Sequence, residues 1–348
     1  PCYTNGVAAQ PNSLGHTWLG HLEGFRRDIE NLKEFWARLN LSPMGTTVLN
    51  GTPWPLNRHG MAKLLGFEGI IDNAYDAGQI AGTDVAIEAE LKLVEPLLHV
   101  TQFIQDVMTQ YAQPRPWILV SATYASTAMP QKRNPGALID VRRDANEVLG
   151  EISGIIFRAH DLAPGMYDAK DQRSNATLLS DAASVFDAFG KVIGLLKVNP
   201  DRALEELNLD WTASQEIADQ LMLKHGLPFR IGHHMASAMV SWARAHDVRP
   251  SDFPYDEMKA LYRKEIESEF PDASPDLPMT EAEFHSCLDP KSILEKRQTA
   301  GSANPKETSA MLSEQEARIA WYRENTAMAR RRVASAHQAL ADAFDAIR

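Results

Sequence analysis

The sequence predicts an all-α protein, with a central bundle of long helices followed by a small C-terminal helical domain. Apolar residues recur at steps of three and four over long stretches of the first 198 residues, as on one face of a helix. Strand signals are weak there, and after Pro200 the helical stretches become short and are separated by prolines. We therefore place a central bundle domain at 1–198 and a C-terminal helical domain at 199–348.

Two long helices are predicted before the middle of the chain. Ser13 is a favourable N-cap, and the helix that follows it is expected to end at Asn40. A second helical stretch covers 83–112, with a kink or a break expected at Pro96. Each carries one apolar stripe, which in the first helix consists of Leu19, Leu22, Phe25, Ile29, Leu32, Trp36 and Leu39, and in the second of Leu91, Val94, Leu98, Thr101, Gln105 and Met108.

Further helices are predicted in the rest of the chain. Two more long ones cover 136–160 and 178–197, and a charged, Ala-rich surface helix covers 314–348. Shorter helices are expected at 201–207, 214–225, 231–246, 255–268 and 280–284. The apolar run 117–120 is too short to assign to a helix or a strand.

Composition excludes several classes of protein. The 348 residues include 35 Lys and Arg against 46 Asp and Glu, a net charge of −11, which argues against binding to nucleic acid or to anionic membranes. A hydrophobic content of 44% is too high for a disordered chain, and no apolar run is long enough to span a membrane. The opening residues lack the pattern of a signal peptide, so we expect a cytoplasmic protein.

Neither a metal nor a cofactor is expected. The two cysteines, Cys2 and Cys287, are too few for a disulfide scaffold or a Cys-based zinc site. No set of His, Asp and Glu has the spacing of metal ligands.

Residues 126–135 concentrate groups that can do chemistry. Ser126, Thr127, Lys132 and Asn134 lie within one short stretch whose backbone is restricted by Pro130 and Pro135, and a helix is predicted to start just after it. Lys132 and the positive end of that helix could stabilise a developing carboxylate or enolate. The alternative is a polar loop whose hydroxyl groups only cap turns.

Several segments resemble one enzyme family in family order. ASTAMPQKRNP at 125–135 is similar to the GSSxMPxKxNP signature of the fumarase/aspartase superfamily, and PCYTNGVAAQPNSLGH at 1–16 resembles PGYTHLQxAQPxxLGH of the argininosuccinate lyases. GTPWPLNR at 51–58 and KLLGFEGIIDNAYDA at 63–77 resemble further family segments. So do VNPDRALEEL, ADQLMLKHGLPFR and FHSCLDPKSILEKRQTAGSANP, and the likeness extends from about residue 1 to 310.

The resemblance implies a lyase that releases fumarate from a substituted succinate by β-elimination. It implies that Ser126, on a flexible loop, is the base, and that Lys132 and Asn134 hold the carboxylate where charge accumulates. Thr4, Gln10, Thr127, Met129 and Lys170 occupy further positions that match the family's substrate-binding segments. The partners it implies are a small-molecule dicarboxylate substrate and three further copies of the chain, in a homotetramer with shared active sites.

Departures from the family pattern indicate a different substrate. Asn5, a further candidate substrate-binding residue, replaces the family's histidine after Thr4, and Ile139 replaces the acidic residue that pairs with that histidine. The family's SDRD is Gln79-Ile80-Ala81-Gly82. In the YxKDxQxDK segment, which aligns with 168–176, Lys170 persists, but the Gln is Arg173 and the second Lys is Ala176. We therefore expect an N-substituted aspartate other than argininosuccinate, with Arg173 either a new carboxylate clamp or a surface residue.

Three functions stay open at this point. The first is a lyase acting on a substituted succinate. The second is a catalytically impaired homologue that serves as a structural subunit or scaffold, because Asn5 and Ile139 replace an ionic pair. A cycloisomerase of the same superfamily fits the motifs less well. Family members carry about a third of their chain before the segment that matches Pro1, so the site would need a separately supplied N-terminal segment or would be incomplete.

Overall fold

Helices dominate the computed structural model, which describes residues 1–121, 123–166 and 172–347. They account for 67% of the structure, and the strands are all short, so the predicted all-α class is confirmed. The helices are α1 Leu14–Leu39, α2 Arg58–Leu65, α3 Ala81–Leu91, α4 Val94–Tyr111, α5 Gly136–Ala159, α6 Gln172–Leu195, α7 Pro200–Leu207, α8 Gln215–His225, α9 Phe229–His246, α10 Tyr255–Glu269, α11 Glu281–Leu288, α12 Pro290–Lys296 and α13 Pro305–Asp345.

Within the described residues, the strands form four small two-stranded sheets. They are β1 Cys2–Thr4, β2 Val7–Gln10, β3 Leu41–Ser42, β4 Gly69–Ile70, β5 Ile118–Val120, β6 Tyr124–Ala125, β7 Arg133–Asn134 and β8 Leu196–Val198. β1 pairs with β2 and β6 with β7 in antiparallel register, whereas β3 pairs with β4 in parallel. The run 117–120, which the sequence left open, supplies β5, whose partner is β8.

The chain forms two units, each built from three stretches. The hairpin unit consists of Pro1–Gly20, Asp106–Leu119 and Lys197–Ser313, and contains β1 and β2. The loop unit consists of His21–Gln105, Val120–Leu196 and Glu314–Arg348, and contains β6 and β7. The division predicted between residues 198 and 199 stays a prediction.

The predicted long helices form with small shifts at their ends. α1 follows the N-cap Ser13, whose Oγ accepts a hydrogen bond from the N–H of His16 at 3.1 Å. The stretch 83–112 is interrupted, as expected, between α3 and α4, and Pro96 lies in the first turn of α4, where its missing N–H costs no hydrogen bond. The apolar face of α5 is buried, and it consists of Leu138, Val141, Ala145, Val148, Ile152 and Ile155.

The stripes expected on α1 and α4 do not face the core of the chain along their whole length. On α1, Ile29, Leu32, Trp36 and Leu39 are 36–42% exposed, and Leu98 on α4 is 50% exposed. The buried positions of α4 are instead Leu97, Val100, Phe103, Ile104 and Val107. These helices therefore offer apolar surface outward as well as inward.

Inside the loop unit, aromatic rings of three helices meet. The ring of Phe189 on α6 lies 5.7 Å from that of Phe25 and 5.4 Å from that of Phe103, measured between centroids. Beside them, Asp28 Oδ2 lies 2.7 Å from His99 Nδ1, and Asp28 is only 3% exposed. Gly24 makes room for the imidazole, since a Cβ there would lie 3.2 Å from three of its ring atoms.

The core of the hairpin unit is formed by the C-terminal helices. α8 and α9 approach closely at Gly232, where a Cβ would lie 2.5 Å from the Cα of Ala218. Around this contact the core gathers Trp211, Ile217, Leu221, Met235, Met239, Phe253, Tyr262, Phe284 and Cys287. Burial raises the pKa of the Cys287 thiol to about 12. The sequence missed α12, and α13 starts nine residues before the predicted 314 because Pro305 opens it.

Candidate functional site

The signature segment forms a hairpin in the loop unit. Tyr124 pairs with Asn134 and Ala125 with Arg133, so that residues 126–132 form the connecting loop. The Asn134 side-chain amide donates to the Tyr124 carbonyl at 3.1 Å, and the Lys132 N–H donates to the Met129 carbonyl at 3.0 Å. The sequence predicted a loop here. In the structure, the paired strands β6 and β7 close this loop, and a turn forms within it.

The hydroxyl group of Ser126 turns into its own loop. Its Oγ accepts hydrogen bonds from the N–H of Met129 at 3.1 Å and from the N–H of Ala128 at 3.4 Å. Two amide donors directed at one oxygen favour negative charge on it. The alternative reading, a hydroxyl group that only closes a turn, uses the same bonds.

The remaining signature residues lie on the same hairpin and reach solvent. Thr127, Met129 and Lys132 are exposed, and Asn134 is half-buried. The structure thus brings five of the predicted site residues together: Ser126, Thr127, Met129, Lys132 and Asn134. The Lys132 side chain on this loop is exposed to solvent.

Tyr124 packs on the first residue of α5. A Cβ at Gly136 would lie 2.9 Å from Cδ1 and 3.4 Å from Cε1 of the tyrosine ring, so glycine allows the ring to lie there. Tyr124 is still 57% exposed. Ile139, at the position of the family's acidic residue, lies in the first turn of α5, where its N–H donates to the Pro135 carbonyl at 3.1 Å.

Three predicted residues lie in the hairpin unit, on β1, β2 and the turn between them. Asn5 and Gly6 have φ values of 51° and 78°, the pattern of a type I′ turn, for which Asn-Gly is the preferred pair. Thr4, Asn5 and Gln10 are all exposed, and the Gln10 amide donates to Gln215 Oε1 at 2.7 Å. The turn geometry alone therefore accounts for an asparagine at position 5.

A polar network that the sequence did not predict anchors β1 of this hairpin through Tyr3. The hydroxyl group of Tyr3 donates to Glu206 and accepts from Trp117 Nε1 at 3.1 Å. Arg202 Nη2 lies 3.4 Å from Glu206 Oε2, and both side chains are 11% exposed. Burial, together with the bond to Glu206, raises the pKa of Tyr3 well above its usual range. No motif marks these residues, because they come from separate parts of the chain.

Of the two remaining predicted residues, Arg173 belongs to the loop unit. Arg173 lies in the first turn of α6 and is exposed. Lys170 lies outside the described residues.

A single π-helical turn, Asp76–Ile80, stands where the sequence departs from the family's SDRD segment. Gln79 in this turn donates to the Val48 carbonyl at 3.3 Å, and a Cβ at Gly165 would lie 2.6 Å from Gln79 Oε1. Such turns are frequent at functional sites, but nothing in the hydrophobic pattern predicted this one.

The described part of the chain contains no group of three His, Cys, Asp or Glu side chains placed to hold a metal ion. In the same residues, no helix combines the length and the apolar character that crossing a membrane requires.

Two family descriptions match separate parts of the chain. Residues 1–150 match the family described as Lyase, and residues 211–295 match the one described as Argininosuccinate lyase C-terminal. Argininosuccinate lyase of Burkholderia mallei (strain SAVP1) is 31% identical over 267 residues, which cover 74% of this chain and 55% of that protein. The Bacillus subtilis (strain 168) enzyme is 28% identical over 324 residues, 92% of this chain and 66% of that protein. The chain thus spans about half to two thirds of the length of these relatives.

Among solved structures, a double variant of EDDS lyase with bound fumarate has a similar fold. It superposes with a TM-score of 0.89 at 24% identity, covering 99% of this chain and 68% of that one. This likeness extends the match of fold through both units.

Proposed function

The chain belongs to the fumarase/aspartase superfamily and is close to argininosuccinate lyase, and from that premise we propose that it is a carbon–nitrogen lyase. The substrate is a substituted succinate, and one product is fumarate. The observation that carries the proposal is the pair of backbone N–H groups, of Ala128 and Met129, directed at Ser126 Oγ. They supply what a serine base needs, which is stabilisation of its oxyanion.

The reaction is a β-elimination. Ser126 Oγ takes the proton from the carbon beside a carboxylate, and the electron pair left behind is delocalised into that carboxylate. The double bond then forms while the C–N bond breaks, and the nitrogen leaves with the bonding pair and takes up a proton. Lys132 stabilises the doubly charged carboxylate, and preorganised charge of this kind is usually the largest catalytic contribution.

The leaving group is a substituted amine other than the guanidino group of arginine. Ile139, Arg173 and Ala176 stand at positions where argininosuccinate lyases carry other residues. EDDS lyase, whose fold is similar, cleaves an N-substituted aspartate to fumarate. Arg173, which is exposed, is the proposed clamp for a second carboxylate, since a guanidinium group binds one in a two-pronged fashion.

A homotetramer with shared active sites is part of the proposal. The exposed stripe of Ile29, Leu32, Trp36 and Leu39 on α1 supports it, because a monomer would leave this surface in water. The use of a separately supplied N-terminal segment and a cytoplasmic location stay predictions.

The test is the release of fumarate, followed by its ultraviolet absorbance, from a panel of N-substituted aspartates. We expect turnover with at least one of them and a loss of about 100-fold or more in Ser126→Ala, the range for removal of a general base. Ser184→Ala is the matched control, because Ser184 is an exposed hydroxyl bonded to its own helix at Ser180. Fumarate release that Ser126→Ala leaves unchanged would contradict the proposal, and no turnover at all would favour the structural-subunit alternative.

A further inference from the structure

Tyr124, the first residue of β6, presents an aromatic ring two residues before Ser126, the proposed base. The residue is 57% exposed, although its ring has a defined place. One edge of the ring, formed by Cδ1 and Cε1, lies over Gly136 at the start of α5. The Tyr124 carbonyl accepts a hydrogen bond from the Asn134 side-chain amide at 3.1 Å, which fixes the backbone that carries the ring. The ring is therefore held along one edge and is accessible over the rest of its surface.

The pairing of β6 with β7 determines which side chains share a face of the signature hairpin. Directly opposite residues lie on one face of a sheet, so Tyr124 shares a face with its partner Asn134. Side chains two residues apart in a strand also share a face. Ser126 follows Tyr124 by two residues, and Lys132 precedes Asn134 by two. The alternation therefore continues the face of the tyrosine ring into the two residues that carry the proposed chemistry.

The spacing between Tyr124 and Ser126 suits a substituent on the leaving nitrogen of the substrate. Two residues of an extended strand span about 7 Å. In an N-substituted aspartate, one carbon separates the carbon that loses its proton to Ser126 from the nitrogen, and the substituent begins beyond that nitrogen. A group of the size of a benzyl ring therefore reaches the ring of Tyr124, whereas a methyl group is too short to do so.

The exposed ring has a simpler explanation, which is that it only packs against the start of α5. Single exposed aromatic residues are common on protein surfaces, so exposure by itself carries no weight. What distinguishes Tyr124 is its position on the same face as Ser126 and Lys132. The two explanations differ in what they predict. A packing role affects all substrates alike, whereas a contact with the substituent affects only substrates whose substituent is large enough to reach the ring.

We propose that Tyr124 is a specificity-determining residue that contacts the substituent on the leaving nitrogen, and that the preferred substituent is an aromatic ring. The inference rests on the proposed function, because it names the class of its leaving group. Two aromatic rings attract each other in offset-stacked and edge-to-face arrangements, in addition to the effect of the apolar area that they bury. The ring of Tyr124 lies outside the reacting atoms, so it selects the substrate and takes no part in proton transfer.

The test compares fumarate release from N-benzylaspartate and N-methylaspartate, whose reacting atoms are the same. We expect kcat/KM to favour the benzyl compound, and Tyr124→Ala to reduce that preference about five- to tenfold by slowing the benzyl compound alone. Tyr124→Phe keeps the ring and is expected to keep the preference. Phe157→Ala is the matched control and keeps it too, because Phe157 is an exposed aromatic residue near the other end of α5. An equal loss with both compounds in Tyr124→Ala would show a structural role and overturn the inference.

Binding separates this inference from the proposed reaction. In the Ser126→Ala background, calorimetric titration gives the dissociation constants of the same two compounds without turnover. Tighter binding of the benzyl compound that Tyr124→Ala abolishes supports the inference, also in a protein that releases no fumarate and so refutes the lyase. Fumarate release from both compounds, with a preference that Tyr124→Ala leaves unchanged, overturns the inference and leaves the lyase standing. Absence of any preference for the benzyl compound, in rate and in binding, overturns it as well.

Discussion

Ser126 Oγ and the backbone nitrogen of Met129 are joined by a 3.1 Å hydrogen bond across a three-residue turn. The bond holds the hydroxyl oxygen at the tip of a hairpin whose base is tied by Asn134 and Tyr124. In the proposed reaction the base must be stabilised as an anion, and the two N–H groups directed at Ser126 Oγ support that proposal.

Lys132 tests the electrostatic part of this arrangement. Lys132→Met is expected to lower the rate of fumarate release by about 100- to 1000-fold, the range for loss of one group that stabilises an oxyanion. Lys132→Arg keeps the charge and is expected to stay within about tenfold of the wild type. The melting temperature is not expected to change, because the side chain is exposed. A rate that is insensitive to both substitutions would remove Lys132 from the site.

The contact between Tyr124 and Gly136 can be measured by a double-mutant cycle. Gly136→Ala places a Cβ 2.9 Å from the tyrosine ring and is expected to destabilise the protein by about 1–3 kcal/mol. In the Tyr124→Ala background, the same substitution meets open space and is expected to be neutral or stabilising. Urea unfolding of the four proteins gives the coupling energy. Additive effects would show that the ring does not occupy this position in solution.

The buried carboxylate of Asp28 pairs with the half-buried imidazole of His99. His99→Phe keeps a ring opposite Gly24 but leaves the Asp28 carboxylate without its hydrogen bond, and we expect a loss of about 3 kcal/mol in the free energy of unfolding. Adding Asp28→Leu removes the buried charge and is expected to recover at least half of the loss. The measurement is denaturant unfolding, and a double variant less stable than His99→Phe would refute this explanation.

Glu283 links stability to pH through the N-terminus of α11. The backbone N–H of Thr280 and the ammonium group of Lys224 hold the pKa of Glu283 at about 2, below its usual 4.5. Its contribution is therefore complete above pH 4.5 and is lost as pH falls towards 2. The difference in melting temperature between the wild type and Glu283→Gln should be largest at pH 6–7 and should shrink at pH 3–4. A constant difference would show that the carboxylate is not the group responsible.

Periodicity predicted the helices well but could not assign all of their faces. The stripe of α5 is buried because Leu138, Val148 and Ile155 pack within the same chain. The stripe of α1 has the same spacing, yet Leu32 and Trp36 are exposed. Spacing reports that a face is apolar, and it carries no information on whether that face meets its own chain or another one.

The sequence likewise predicted some residues of the candidate site and missed others. The signature motif located Ser126, Lys132 and Asn134, because these residues are close together in sequence and share one hairpin. The polar network that anchors β1 consists of Tyr3, Glu206 and Trp117, which only the fold brings together. The π-helical turn could not be predicted either, because one extra residue in a turn leaves no trace in a short apolar pattern.

The two cysteines differ in a way that makes the protein easy to label. Cys287 lies in the hairpin-unit core, and its raised pKa keeps it as the unreactive thiol near neutral pH. Cys2, which is half-buried on β1, is then the position at which a maleimide dye attaches. A fluorophore there would lie two residues from Thr4 without any engineered mutation.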